Sequence, residues 1–180
     1  NGTLFDSHDT GHGGWGACAS HDGAGPFRTM AHGDTRIIPV ELQESMYPYR
    51  LVEFSLREDS AGAGKFRGGL GFRKRYLILG ACDLQAMFDR LKYPAWGVQG
   101  GKEGKAGQIT VIKKSGGTEI IYKSKGYPLQ PGDQIIVETG GGGGYGPPSE
   151  RSRELIERDL RRGYVSTVSA AKDYAVTIVG

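Results

Sequence analysis

Gln134-Ile135-Ile136-Val137-Glu138-Thr139 runs directly into Gly140-Gly141-Gly142-Gly143-Gly144-Tyr145-Gly146. The first six residues are rich in β-branched side chains, which suit a pleated, half-buried surface. The next seven carry almost no side chains, so the strand ends where backbone can approach backbone closely. The same pairing of strand and glycine turn recurs along the chain. It predicts a mainly β (α+β) fold, an antiparallel sandwich or barrel-like sheet with a short helical C-terminal tail.

Upstream, Val52, Phe54 and Leu56 alternate with Glu53, Ser55 and Arg57. That is the period of a half-buried strand. Further strands are predicted at 72–79, 83–88, 108–113 and 119–122. Ser115-Gly116-Gly117 supplies a hairpin signal between the last two. Leu129-Gln130-Pro131-Gly132-Asp133 reads as a turn leading into the strand at 134. Ile37-Ile38-Pro39-Val40-Glu41-Leu42 is a short apolar run, and Met46-Tyr47-Pro48-Tyr49 marks a turn. Beyond Pro147-Pro148, Ser149 is a candidate helix cap and Gly163 a candidate helix end. Ser166 caps a second short helix to about Tyr174, and 175–179 reads as a closing strand. The expected organisation is a glycine- and His-rich loop segment at 1–35, a β-rich core at 36–146 and a helical tail at 147–180.

Glycine contributes 31 of the 180 residues, well above the usual ~7%. Apolar residues are spaced between the glycines in strand-like runs, which favours ordered turns over low-complexity disorder. Net charge is +3, from 23 basic and 20 acidic residues. That balance argues against nucleic acid, which needs a concentrated basic face. Mean hydropathy is −0.42 and no apolar run approaches the ~20 residues of a membrane span. The chain starts without Met or a signal pattern, which reads as an internal start. Cys18 and Cys82 form no CxxC pair; a disulfide or reduced thiols in a cytoplasmic protein both fit, and the second is favoured.

Several constellations invite a chemical reading. Gly141, Gly143 and Gly146 satisfy G-x-G-x-x-G, yet Pro147-Pro148 interrupts the helix entry that a dinucleotide pyrophosphate needs. Gly62-Ala63-Gly64-Lys65-Phe66 falls short of a phosphate loop. Asp59 stands in place of its first glycine and Phe66 in place of the magnesium-binding hydroxyl. His8, His12, His21 and His32 lie among Asp6, Asp9, Asp22 and Asp34. Imidazole with carboxylate suits zinc, manganese or iron, but no strict ligand spacing appears, and solvated loop residues or hydrogen-bonded loop ties are the better reading. Glu41 and Glu44 are candidate acid–base groups without a pocket, and Cys18 is a candidate nucleophile without a base. Arg90, Lys92, Lys102 and Lys105 surround Pro94-Ala95-Trp96-Gly97. They suit an anionic substrate group or an acidic partner surface, or else a solvated rim around a buried Trp96.

Three stretches together resemble the hydantoinase B/5-oxoprolinase family. Tyr47-Pro48-Tyr49-Arg50 through Glu53-Phe54-Ser55-Leu56-Arg57, then Ser60-Ala61-Gly62-Ala63-Gly64 and Arg67-Gly68-Gly69-Leu70-Gly71, is similar to one family segment. Asp89-Arg90, Pro94-Ala95-Trp96-Gly97 and Gly100-Gly101-Lys102 resemble a second. Gly141-Gly142-Gly143-Gly144-Tyr145-Gly146-Pro147, with Asp159, Gly163-Tyr164-Val165-Ser166 and Tyr174, resembles the family's C-terminal ending. Pro148 and the histidine-rich start depart from the pattern.

The resemblance covers residues from about 13 to 179 and corresponds to the C-terminal third or so of a B-type subunit. It implies ATP-dependent opening of a cyclic amide, a hydantoin or 5-oxoproline, or else ATP-dependent carboxylation of a ketone such as acetone or acetophenone. ATP and magnesium are implied on an A-type partner subunit, any divalent metal on the upstream part of the B-type subunit, and no bound cofactor on this chain. A non-catalytic, partner-binding β module and a metal hydrolase built on the histidines are the alternatives. No catalytic residue is assigned. The residues expected at a shared substrate or subunit interface are Gly13, Gly14, Gly68, Gly69, Arg90, Trp96, Gly141, Gly142, Gly143 and Tyr145.

Overall fold

A computed structural model describes residues 4–27 and 37–176. The strands are β1 (Tyr49–Leu56), β2 (Phe72–Ile78), β3 (Cys82–Ala86), β4 (Gln108–Ile112), β5 (Thr118–Ile121), β6 (Ser124–Leu129) and β7 (Gln134–Glu138). They form an antiparallel sheet of order β1-β2-β7-β4-β5 and a separate β3-β6 ribbon. Among the described residues the sheet does not close, and β1 and β5 are its edges. The helices are α1 (Val40–Met46), α2 (Arg153–Arg161) and α3 (Thr167–Tyr174).

One face of the large sheet makes the core. Phe72, Lys74, Tyr76 and Ile78 are the buried alternate residues of β2. Register sets Tyr76 beside Ile135, Ile135 beside Val111, and Val137 beside Ile109. Ala86 and Leu129 join this cluster from the β3-β6 ribbon. Each fully buried aliphatic side chain contributes roughly 1.5–3 kcal/mol. The opposite face is a charge ladder, with Arg73 Nη1 to Glu138 Oε1 at 2.8 Å and Arg75 Nη2 to Glu53 Oε2 at 3.1 Å.

β1 departs from simple alternation. The register shifts between Leu51 and Glu53, so Leu51 pairs with Tyr76 while Phe54 pairs with Lys74. Val52 is the extra residue of this bulge. Leu51 and Phe54 therefore share the core-side face, on which β2 presents Tyr76 and Lys74. Other expectations also move. The apolar run at 37–42 leads into α1 from Val40. Residues 124–128, read as no element, form β6 together with Leu129, read as part of a turn, and Ser152 rather than Ser149 caps α2. Pro148–Glu150 form a single 3₁₀ turn instead. Ser166 caps α3 as read from sequence, its hydroxyl accepting from Ser169 N at 3.1 Å, and Gly163 past α2 has φ of +65°. Ala175 and Val176 lie in no strand, and the rest of the predicted closing strand lies outside the described residues.

Candidate functional site

The glycine run at 140–146 is the axis of a bundle of extended segments. Backbone at 13–17, 62–69 and 96–105 surrounds it. The carbonyls of Gly140 and Gly143 accept from Gly14 N and Ala17 N, each at 2.9 Å. The N–H groups of Gly141 and Gly144 donate to Lys105 O at 3.1 Å and Lys102 O at 2.9 Å. The carbonyls of Gly142 and Tyr145 accept from Gly62 N at 2.8 Å and Phe66 N at 3.0 Å. Each neighbour is met every third residue, the period of a polyproline II helix.

Side chains do not fit on this axis. A Cβ on Gly141 would fall 1.9 Å from Ser60 O, one on Gly142 1.8 Å from Trp15 O, and one on Gly143 1.8 Å from Trp96 O. A Cβ on Gly144 would return to the first neighbour, 2.2 Å from Ala63 O. Collagen obeys the same steric rule at its axis. Sequence reading missed this arrangement because a three-residue period leaves no trace in an unbroken run of glycines.

The bundle uses its own polar groups. Gly14, Gly68, Gly69, Gly141, Gly142 and Gly144 all donate their N–H to backbone carbonyls. Those donors are therefore committed rather than aimed at a phosphate or an oxyanion. The Gly62–Lys65 stretch is filled in the same way. A Cβ on Gly62 would meet Lys102 O at 2.1 Å, and Lys65 Nζ pairs with Glu150 at 3.3 Å. ATP does not fit either glycine stretch, because backbone occupies the space a phosphate would need.

A charge cluster ties the N-terminal segment to the helical tail. Arg151 donates from Nη1 and Nη2 to the two oxygens of Asp22, at 2.7 and 2.9 Å. Its Nη2 also reaches Asp159 Oδ2 at 2.6 Å, and Arg67 Nε reaches the same oxygen at 3.0 Å. Arg158 Nη2 closes the set on Asp22 Oδ2 at 2.7 Å. Burial opposes the Asp22 carboxylate, but the bonds and charge of Arg151 more than offset it and hold its pKa at about 2. Asp159 and Arg151 are almost fully buried. This geometry is that of a structural clamp.

The described histidines, His8, His12 and His21, do not converge on a metal site. Among the described residues no group of three His, Cys, Asp or Glu side chains is placed to hold one. His12 is buried in a T-shaped contact with Phe72, 6.3 Å between centroids, while His8 and His21 are exposed. His32 and Asp34 lie outside the described residues. Asp9 accepts from Lys74 Nζ at 2.8 Å and from the Tyr76 hydroxyl. Burial raises its pKa, and those two bonds bring it below the ordinary value. Glu44 accepts from Leu51 N at 2.8 Å. Cys18 and Cys82 are free thiols. Cys18 is drawn down to about 7, chiefly by the Ser20 hydroxyl at 3.3 Å.

Arg90 and Trp96 sit together at the surface. The guanidinium lies over the indole at 5.2 Å from its centroid, a cation–π contact. Trp96 is 69% exposed, which overturns the reading of a buried Trp96 inside a basic rim. Arg90 has φ of +58°, and its carbonyl accepts from Gly107 N at 2.9 Å. Lys102 is engaged elsewhere, with Asp173 at 2.8 Å, and Lys105 is exposed. Tyr145 is half-buried, its backbone paired with Phe66. Gly13 lies against the axis, where an added Cβ would fall 2.8 Å from Gly140 O.

Comparison with known proteins gives the wider frame. An uncharacterized protein of Methanocaldococcus jannaschii is 45% identical over 141 residues, covering 78% of this chain and 25% of its own length. The caprolactamase subunit beta of Pseudomonas jessenii is 34% identical over 175 residues, 93% of this chain and 28% of the relative. The crystal structure of ATP-dependent caprolactamase from that organism superposes with a TM-score of 0.79 at 30% identity, covering 94% of this chain and 30% of that one. A nucleotide-free acetone carboxylase shares the fold, with a TM-score of 0.76 at 21% identity over 94% of this chain and 27% of that one. The chain thus spans under a third of the length of the relatives it matches. The hydantoinase B/oxoprolinase family model matches residues 1–148, and the chain belongs to that family.

Proposed function

We propose that this chain is the C-terminal portion of a B-type subunit that takes part in ATP-dependent hydrolytic opening of a cyclic amide. The supporting observation is the 34% identity to a caprolactamase subunit beta along 93% of the chain. In this reading ATP and magnesium reside on an A-type partner subunit, which activates the amide carbonyl by phosphoryl transfer. Any divalent metal and the hydrolytic groups belong to the upstream part of the B-type subunit, and the assembly is cytoplasmic. The chain contributes a rigid glycine bundle whose surface residues, among them Arg90 and Trp96, face the substrate or the neighbouring subunit. The substrate class is a hydantoin, 5-oxoproline or a related lactam.

The test is reconstitution of this chain with the rest of its B-type subunit and an A-type subunit. ADP release is measured with hydantoin, 5-oxoproline and caprolactam. Amide-dependent ADP release supports the reading. ADP release that instead needs acetone and bicarbonate would move the protein to a ketone carboxylase, a reading supported by fold likeness alone. Full turnover in a complex that lacks this chain would leave a partner-binding role.

A further inference from the structure

Beside Arg90 lies a cleft of about 960 Å³ that the glycine bundle does not use. Arg90, Lys92 and Lys123 line it with Asp89, so three cations face one carboxylate. Tyr93 and Tyr122, also in the lining, are 72% and 57% exposed. Two separate parts of the chain build this cleft, the turn after β3 and the end of edge strand β5. The turn is fixed by the Gly107 N–H on the Arg90 carbonyl and by the stacking of Arg90 on Trp96.

We propose that this cleft docks an acidic, aromatic-bearing segment of a partner polypeptide. The proposal rests on the reading that the chain works inside an assembly, and it names the chemistry of the contact. Its basis is charge complementarity: cations at the rim attract carboxylates, and the phenol rings cover apolar side chains between them. The three cations sit on exposed side chains of two separate segments, Arg90 and Lys92 on one and Lys123 on the other. That division suits several carboxylates along an extended segment. A phosphate group is instead held by donors converging on one point, and nucleic acid calls for a longer basic stripe.

The test uses the full chain and a short fluorescein-labelled peptide alternating Glu and Tyr, followed by fluorescence polarisation. The expected result is saturable binding that weakens with added salt and falls about tenfold or more in the double variant Lys92→Glu, Lys123→Glu. Both lysines are exposed, so the thermal midpoint should be unchanged, and this is measured in parallel. The charge reversal Lys172→Glu, on α3 and outside the cleft, should leave binding intact. Absence of binding, or equal loss in the Lys172 variant, overturns the proposal. Stronger competition by ATP or by a single-stranded oligonucleotide than by unlabelled peptide also overturns it. None of these readouts depends on turnover, so the proposal and the enzymatic reading fail separately.

Discussion

Gly142 and Trp15 approach so closely that a β-carbon on Gly142 would fall 1.8 Å from the Trp15 carbonyl oxygen. Neither partner can yield easily, because both are backbone and both are hydrogen-bonded: Gly142 N to Gly69 O at 2.9 Å, and Trp15 O from Gly69 N at 2.7 Å. Gly142→Ala is therefore expected to cost more than about 3 kcal/mol, at the severe end of overpacking. Gly116→Ala makes the contrast. Its φ is +98° with nothing within 4 Å of an added Cβ. The cost there is backbone strain alone, roughly 1–2 kcal/mol. Urea denaturation of the two variants measures the difference. Gly143→Val is expected to be at least as costly, because its Cβ would fall 1.8 Å from Trp96 O.

The Asp22–Arg151 pair predicts acid sensitivity. The folded pKa of Asp22 is about 2, against 3.8 ordinarily. A carboxylate depressed on folding stabilises the protein above its unfolded pKa, and that stability is lost as pH falls through the folded value. The window is thus from about pH 4 down to pH 2, and the contribution is on the order of 2 kcal/mol. Asp22→Asn should lower stability at neutral pH and flatten the dependence across that window. Denaturation midpoints measured along a pH series check it.

Asp59 and Ser166 start α3 together. Asp59 Oδ1 accepts from Ser166 N at 2.8 Å, and the Ser166 hydroxyl accepts from Ser169 N at 3.1 Å. Ser166→Ala is expected to cost about 1 kcal/mol, the usual value of a lost cap. Asp59→Ala should cost a similar amount. A double-mutant cycle in urea reads the coupling, which is expected because both act on one helix start.

Lys74 offers a fourth probe. Its Nζ lies within 4.7 Å of the Phe54 ring centroid and donates to Asp9, and the side chain is almost fully buried. Lys74→Met keeps the volume and removes the charge. The Asp9 carboxyl should then titrate at higher pH, and stability should fall by about 1–3 kcal/mol. Carboxyl NMR titration follows the first effect and thermal melting the second.

Parts of this structure were open to reading from the residues. β2, β4 and β7 announce themselves because Phe72, Tyr76, Val111 and Ile135 fall on one face at the strand period. The α3 cap was visible because Ser166 stands just before the helix. β6 was hidden by Gly126 and Pro128, which lower strand propensity. Pro128 is tolerated because, among the described residues, the ribbon has two strands and leaves an outer edge. The bulge at Val52 was hidden because Val52, Phe54 and Leu56 alternate regardless. The clamp on Asp22 was hidden because its partners come from distant parts of the chain. The glycine segments could be located in the sequence, but their three-residue period could not be read from it. That Arg90 and Trp96 lie together was legible from their closeness in the sequence, although the exposure of Trp96 was not.

The glycine bundle also bears on the order in which the chain folds. Its segments lie at 13–17, 62–69, 96–105 and 140–146, so every contact along its axis closes a long loop. Such contacts are entropically expensive to form early, and folds rich in them are slow. The axis is the last of the four segments to leave the ribosome. The three outer segments must therefore wait without the backbone that organises them, and the N-terminal segment waits longest. A ribosome-bound chain ending before Gly140 would carry the outer segments with no axis to join them, which makes completion of that run the step that commits the chain to its fold.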